Sequence, residues 1–175
     1  MDRNARRAVA LPAPTQAWAV GAAVAAAVAL PQVVHLVAGA LGLGASLGSV
    51  WLPMHLPVLL VGFLAGPVAG VAAGVLSPLA SFAVTGMPAV AILPVMVVEL
   101  ACYGAVAGLV RESRLPVVVQ VLLVQLSGRA LVVLLGLVPL AAEVAATATG
   151  LPGIVVQLVA IPLVLVAVRR RDERA

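Results

Sequence analysis

The feature that most constrains this chain is a long uncharged stretch, since no Asp, Glu, Lys or Arg occurs between Ala8 and Val98. A water-soluble domain needs charged side chains along its whole length, because most of its segments reach the surface somewhere. A lipid bilayer, whose core is apolar, accepts such a stretch. Of the 175 residues, 64% are hydrophobic and only 9% are charged. The sequence therefore predicts an integral membrane protein.

Proline and glycine clusters divide the apolar sequence into segments. One spanning helix needs about 20 residues, so a chain of this length holds about six in a single membrane domain. We predict an all-α bundle over 15–168, preceded by a segment 1–14 and followed by a basic tail 169–175. The predicted spans are about 15–40, 55–65, 66–85, 86–110, 115–138 and 151–168.

The arginines indicate how these spans are oriented. Nine of the ten lie in three segments, 1–14, 111–114 and 169–175, which six spans place on one side of the membrane. Cationic segments stay on the cytoplasmic side during insertion, so both termini are predicted to be cytoplasmic. A cleaved signal peptide over 17–30 is an alternative that would leave this orientation unchanged. The predicted external loops, which contain no Lys or Arg, are 42–54, 85–88 and 139–150.

Several function classes are not supported by the residues present. The net charge of +4 does not indicate nucleic-acid binding, because the arginines lie at chain ends and in one short loop. The single Cys102 excludes an intramolecular disulfide, and no metal or cofactor motif is present. A phosphate-binding glycine loop is also missing, so ATP hydrolysis by this chain alone is not predicted. We therefore do not predict an enzyme.

Small residues recur at four-residue spacing in three of the predicted spans. Such spacing lets helix backbones approach closely, either inside the bundle or against another membrane subunit. For the glycines we favour internal packing, while for the alanines spacing alone leaves both interpretations open. The residues are Ala19, Ala23 and Ala27 with Ala22 and Ala26 beside them, then Gly66, Gly70 and Gly74, and finally Gly104 and Gly108.

Two charges, Glu99 and Arg129, fall inside predicted spans. Charges within a bilayer are costly, so they are usually paired or functional. Counted from Pro88 and Pro139, they lie at similar depths of about 15–16 Å at 1.5 Å per residue. We therefore predict that they form an ion pair that lines or braces a central cavity, with a purely structural pair as the alternative.

Other polar residues within or near the spans are candidates for ligand contacts. Gln125 lies one turn from Arg129, and His55 begins the second span, so both are interpreted as ligand-binding. Gln157 lies at a suitable depth in the last span, whereas His35 is interpreted as structural. Trp51 lies in the loop that would cover an external cavity, but an interface anchor is an equal alternative.

Four motifs together resemble the substrate-binding S components of energy-coupling factor (ECF) transporters. The resemblance extends from about Ala17 to Pro162 and is strongest for the riboflavin, folate and pantothenate type. The motifs are MHLPVLLVGFLAGPVAGVAAGVLSPLASFAVTGMP (54–88), VELACYG (98–104), SGRAL (127–131) and GLPGIVVQLVAIP (150–162).

The resemblance implies a membrane subunit that captures a vitamin or related micronutrient outside a prokaryotic cell. It implies partners as well, namely a membrane T component and two cytoplasmic ATPases, which drive toppling of the loaded subunit. In that family an alanine pattern on the first helix contacts the T component, a place held here by Ala19, Ala23 and Ala27 or by Ala22 and Ala26. The loop 42–54 would gate the pocket, as the corresponding loop does in the family.

The substrate is less constrained than the family. Aromatic residues make up only 3% of the chain, which disfavours a large flat ligand that would stack on several rings. Pantothenate, an anion, could use Arg129 unless Glu99 already neutralises that charge. A membrane scaffold or assembly subunit is the alternative function, followed by a membrane enzyme or a stand-alone channel.

Overall fold

The structure, a computed structural model, describes residues 13–42 and 47–172. Within these ranges the chain is helical and contains no strand. Residues 43–46 of the predicted gating loop and the four arginines Arg3, Arg6, Arg7 and Arg174 lie outside the described residues. The helices are α1 (Ala13–Ala40), α2 (Leu47–Trp51), α3 (His55–Ala65), α4 (Pro67–Thr85), α5 (Leu93–Val110), α6 (Val117–Leu134), α7 (Leu140–Thr149) and α8 (Leu151–Asp172).

Six stretches of the described chain are long and apolar enough to cross a membrane, which confirms the predicted fold class. Four of them are the single helices α1, α4, α5 and α6. The other two join a short helix to a longer one, α2 with α3 and α7 with α8. Large apolar side chains cover the outside of the bundle: Trp18, Val68 and Leu134 are each about four-fifths exposed, at 81%, 78% and 82%. Such a surface is suited to lipid rather than water.

The centre of the bundle is a glycine seam, which we define as Gly62 of α3, Gly70 and Gly74 of α4, and Gly104 and Gly108 of α5. A Cβ atom at Gly70 would overlap the backbone of Gly104, and a Cβ atom at Gly74 would overlap that of Leu100. The helix backbones are therefore in direct contact, which only glycine allows. The prediction that the glycines serve internal packing is confirmed for Gly70, Gly74, Gly104 and Gly108.

One end of the bundle carries the arginines of the described chain that lie outside the membrane core. Arg111 follows α5, and its guanidinium donates to the carbonyl of Leu64 at 3.5 Å, next to the turn between α3 and α4. Gly66 makes that turn with a φ of 98°, which favours glycine over other residues. Arg114 lies in the α5–α6 connection, and Arg170 and Arg171 lie in the last turns of α8, at the same end.

Two of the predicted loops are partly wrong, because they contain helices. Residues 47–51 form α2, and residues 140–149 form α7. The flanking breakers explain the error: Gly136 and Pro139 precede α7 and Gly150 follows it, so the intervening alanines were assigned to a loop. The start of α5 also differs, since the helix begins at Leu93 rather than near Pro88.

Candidate functional site

A cavity of about 810 Å³ lies at the end of the bundle opposite Arg111, Arg114, Arg170 and Arg171. It is bounded by α1, α2, the start of α3, the α4–α5 connection, and the ends of α5, α6 and α7. This volume is in the range of sites that enclose a small molecule. Most of the lining is apolar and includes Met54, Met87 and Met96, while the polar side chains that line it are His35, Ser49, His55, Ser81, Glu99, Arg129, Glu143 and Thr149.

Glu99 is held at the base of the cavity by a tyrosine on its own helix. The hydroxyl of Tyr103, one turn further along α5, donates to Oε1 of Glu99 at 2.5 Å. The Tyr103 ring is fully buried and lies beside the imidazole of His55, with ring centroids 5.6 Å apart. The ring also packs against Gly128 of α6, where a Cβ atom would overlap it. The position of the Glu99 carboxyl group is therefore fixed by packing between three helices.

Arg129 of α6 connects that helix to α7. Its Nη1 donates to Oε1 of Glu143 at 2.6 Å and to the hydroxyl of Thr147 at 3.0 Å. The Thr147 hydroxyl in turn donates to the backbone carbonyl of Glu143 at 2.8 Å. Both charged side chains are largely buried, with exposed fractions of 11% and 10%. A single guanidinium thus binds two side chains of the short helix that borders the cavity.

The predicted ion pair between Glu99 and Arg129 is wrong, since within the described ranges Arg129 pairs with Glu143. Both predicted residues do line the same cavity. Glu99 is only about 9 Å along α5 from Leu93, and Arg129 is about 8 Å from the end of α6, so both lie near the pocket end. Arg129 reaches the neighbouring α7, and because the sequence predicts a loop over 139–150, it does not indicate Glu143 as a partner.

The predicted site residues Gln125, Gln157 and Trp51 do not line the cavity. Gln125 donates through its amide nitrogen to the side-chain oxygen of Gln157, which joins α6 to α8 in the buried interior. Trp51 is exposed at the end of α2. The structure does not test whether these three residues contact a ligand, so their assignment to the binding site stays a prediction.

The five alanines predicted to dock a partner divide into two sets. Ala23 and Ala27 are buried at 6% and 0% exposure, in the core that α1 shares with α3 and α4. Both side chains face other helices of the same chain, and their assignment to docking stays a prediction. Ala19 packs at the edge of the same core. Ala22 is exposed and Ala26 is half-buried on the adjoining face, so these two remain candidates.

The polar residues that line the cavity and were not predicted from the sequence are Ser49, Ser81, Glu143 and Thr149. Glu143 was hidden by the loop assignment. Ser81, at 1% exposure, carries an ordinary hydroxyl in an apolar helix and gives no distinctive signal. Tyr103, which does not line the cavity but donates to Glu99, was not predicted either, although its spacing of four residues from Glu99 places both side chains on one face of a helix.

Comparison with known protein families decides among the classes that this geometry allows. The family model described as "ECF transporter, substrate-specific component" matches residues 17–168. The chain belongs to this family. No curated protein and no solved structure gives a significant match to this ECF substrate-specific component. The resemblance to S components is thus confirmed, while the riboflavin, folate or pantothenate type stays a prediction.

Membership determines the general role of the molecule. A substrate-specific component is a multi-pass membrane subunit of a transporter rather than an enzyme in its own right. The six apolar stretches of this ECF subunit agree with such a role. The alternative of a scaffold without a substrate has no corresponding support, because a scaffold needs no cavity lined by charged side chains.

Proposed function

We propose that this substrate-specific component captures a vitamin or related micronutrient outside a prokaryotic cell and delivers it inward. The observation that carries the proposal is the cavity of about 810 Å³, which combines an apolar wall with Glu99, Arg129 and Glu143. Small-molecule sites have this composition, in which apolar surface supplies affinity and a few polar groups supply orientation. Charged residues at membrane depth mark substrate sites in transport proteins.

Charge distribution supports an outward-facing cavity. Arg111, Arg114, Arg170 and Arg171 lie at the opposite end of the bundle, and cationic segments remain in the cytoplasm during insertion. The proposed orientation therefore has α1 beginning and α8 ending on the cytoplasmic side of the plasma membrane. The pocket end, bounded by α2 and α7, faces outward.

Delivery requires partners, because the sequence has no nucleotide-binding loop of its own. We infer that a membrane T component and two cytoplasmic ATPases supply the energy. ATP hydrolysis in the partners would topple the loaded bundle, so that the pocket end turns from the outer side toward the cytoplasm. The glycine seam supports such rigid-body motion, since its direct backbone contacts hold α3, α4 and α5 together.

Two neighbouring alanines of α7 allow a direct test of the cavity. Ala146 lines it, whereas Ala145 does not, and both are exposed. An indole at residue 146 should fill the cavity, so Ala146→Trp is expected to abolish ligand binding, and Ala145→Trp to preserve it. The measurement is the melting temperature of purified protein with water-soluble vitamins and their precursors. A ligand at 100 times its Kd stabilises the folded state by about 2.7 kcal/mol.

If the same compound stabilised Ala146→Trp and Ala145→Trp equally, the binding site would not be this cavity. If no compound stabilised even the unmodified chain, capture of a vitamin-like substrate would be contradicted. The unliganded melting temperatures of the two variants serve as the control for folding.

We propose further that Ala22 and Ala26 form the surface of α1 that docks on the T component. Small exposed side chains allow close approach of a partner helix. The variant Ala22→Leu/Ala26→Leu is expected to lower co-purification with the transporter's other subunits by about 10-fold, as loss of 1.4 kcal/mol would produce. Ala83→Leu, at an exposed position of α4, is the matched control. If the double variant binds ligand and assembles as well as the unmodified chain, docking through Ala22 and Ala26 would be contradicted.

A further inference from the structure

The charged groups that line the cavity do not balance. Arg129 and Glu143 neutralise each other through their ion pair of 2.6 Å. Glu99 also lines the cavity, and within the described ranges no Arg or His lies within 4 Å of its carboxyl oxygens. With both cavity histidines, His35 and His55, counted as neutral, the cavity carries one excess negative charge.

Glu99 is bound only by a neutral donor. Its residue is 8% exposed, and the one hydrogen bond to its side chain in the described structure comes from Tyr103 to Oε1. A carboxylate removed from water requires either a counter-charge or several hydrogen bonds. Within a bilayer this requirement is stricter, because lipid offers neither. The second carboxyl oxygen, Oε2, has no hydrogen bond within the described structure and can accept one from a molecule in the cavity that Glu99 lines.

Two further groups on the cavity wall point independently to a ligand. Nδ1 of His55 and the hydroxyl of Ser81 have no hydrogen-bond partner in the structure, although both residues line the cavity. They are 5% and 1% exposed, so bulk water does not solvate them freely. Buried polar groups are normally hydrogen-bonded, and exceptions need an explanation such as a ligand. A polar molecule in this cavity would satisfy both.

We propose that the substrate of this site is an organic cation whose positively charged nitrogen lies beside Glu99. Its hydroxyl or carbonyl groups then contact His55 and Ser81. The inference rests on the proposed function, since it assigns a chemical class to the substrate captured there. It also disfavours pantothenate, because Nη1 of Arg129 is paired with Glu143 and an added carboxylate would be repelled by Glu99.

The shape of the cavity further limits the cation. In the described part of the wall the only aromatic rings are the imidazoles of His35 and His55, and no Phe, Tyr or Trp contributes. An aromatic cage for a quaternary ammonium is therefore missing from that wall. Recognition must come instead from the carboxylate of Glu99, which favours a nitrogen that can donate a hydrogen bond, such as a protonated amine.

The test compares ligands that differ in charge but share a skeleton. Pyridoxamine, with a protonated amine, is paired with neutral pyridoxine, and anionic pantothenate is paired with neutral panthenol. Putrescine extends the set of protonated amines. Thermal stabilisation and titration calorimetry are measured on the purified full chain in detergent. Stabilisation by at least one cation, and by neither pantothenate nor panthenol, is the expected result.

Variants of Glu99 connect the result to the proposed contact. Glu99→Gln keeps the size of the side chain but removes its charge, and should weaken cation binding by about 10- to 100-fold, as expected for a hydrogen bond to a charged group. Glu99→Asp keeps the charge and should retain part of the affinity. Glu112→Gln, in the exposed loop at the arginine end, removes the same charge and should leave Kd unchanged.

The outcomes separate the two proposals. The cation assignment would be overturned by preferential binding of pantothenate, or by cation binding that Glu99→Gln leaves unchanged. Either result would still support the proposed function, capture of a small molecule. Absence of binding by every compound, with the unmodified chain folded, would overturn the proposed function and this inference with it. Should Glu99→Gln fail to fold, the charge preference of the unmodified chain still decides the assignment.

Discussion

Replacement of Arg129 by alanine is expected to destabilise the folded protein by about 3–5 kcal/mol, the usual effect of removing one partner of a buried ion pair. The carboxylate of Glu143 would lose its 2.6 Å partner while staying largely buried. Thr147 would lose a donor as well, so α7 would no longer be bound to α6 by side-chain hydrogen bonds. Reversible unfolding in mixed micelles, followed by circular dichroism, measures the change.

A double variant distinguishes a lost pair from a lost side chain. Arg129→Met/Glu143→Leu removes both charges together, and such replacements are often neutral or stabilising. We therefore expect the double variant to be more stable than Arg129→Ala by at least about 2 kcal/mol, well above the usual error of additivity. If both variants lost the same stability, the ion pair would not be the origin of the effect.

Gly104→Ala is expected to have a comparably large effect, although it adds only one methyl group. The new carbon would lie 2.8 Å from the Cα of Gly70, well inside the carbon–carbon contact distance of about 3.5–4.0 Å. Because the neighbour is backbone rather than a mobile side chain, α4 and α5 must separate. We expect a loss of about 3 kcal/mol, the upper end of the range for overpacked cores. The unfolding midpoint in the same micelles measures it.

Gly21→Ala provides a matched control for that substitution. Gly21 lies in α1, and nothing would lie within 4 Å of a Cβ atom there. Alanine is the better helix former by about 0.5–1 kcal/mol, so this variant should be as stable as the unmodified protein or slightly more so. A Gly104→Ala protein that unfolds at the same midpoint as Gly21→Ala would show that the seam tolerates separation.

The spans were largely predictable from sequence because the signals for membrane helices are strong. Hydrophobic length, together with the break at Gly66-Pro67, placed α3 and α4 correctly. The periodic glycines also indicated where the backbones meet. Short helices were not predictable by the same reasoning, since five residues in α2 and ten in α7 are too few to produce a span of their own.

The candidate site was only partly predictable, because its contacts depend on how the helices turn about their axes. Sequence identified Glu99, Arg129 and His55, all of which line the cavity. Depth alone could not show that Arg129 turns toward α7, nor that Gln125 faces α8 and bonds to Gln157. Nearly uniform hydrophobicity around each helix left no periodic signal from which such rotations could be read.

The packing of the bundle is uneven, which has a consequence for how its stability is distributed. The glycine seam joins α3, α4 and α5 by direct backbone contact at several positions, whereas the short α2 meets the backbone of α8 at Gly153 and the short α7 has few contacts with its neighbours. Segments with few buried contacts open at a lower free energy than the core of the same protein. The two short helices can therefore unfold locally and re-form while the seam stays closed. A molecule can therefore enter or leave at the pocket end while the rest of the bundle stays folded.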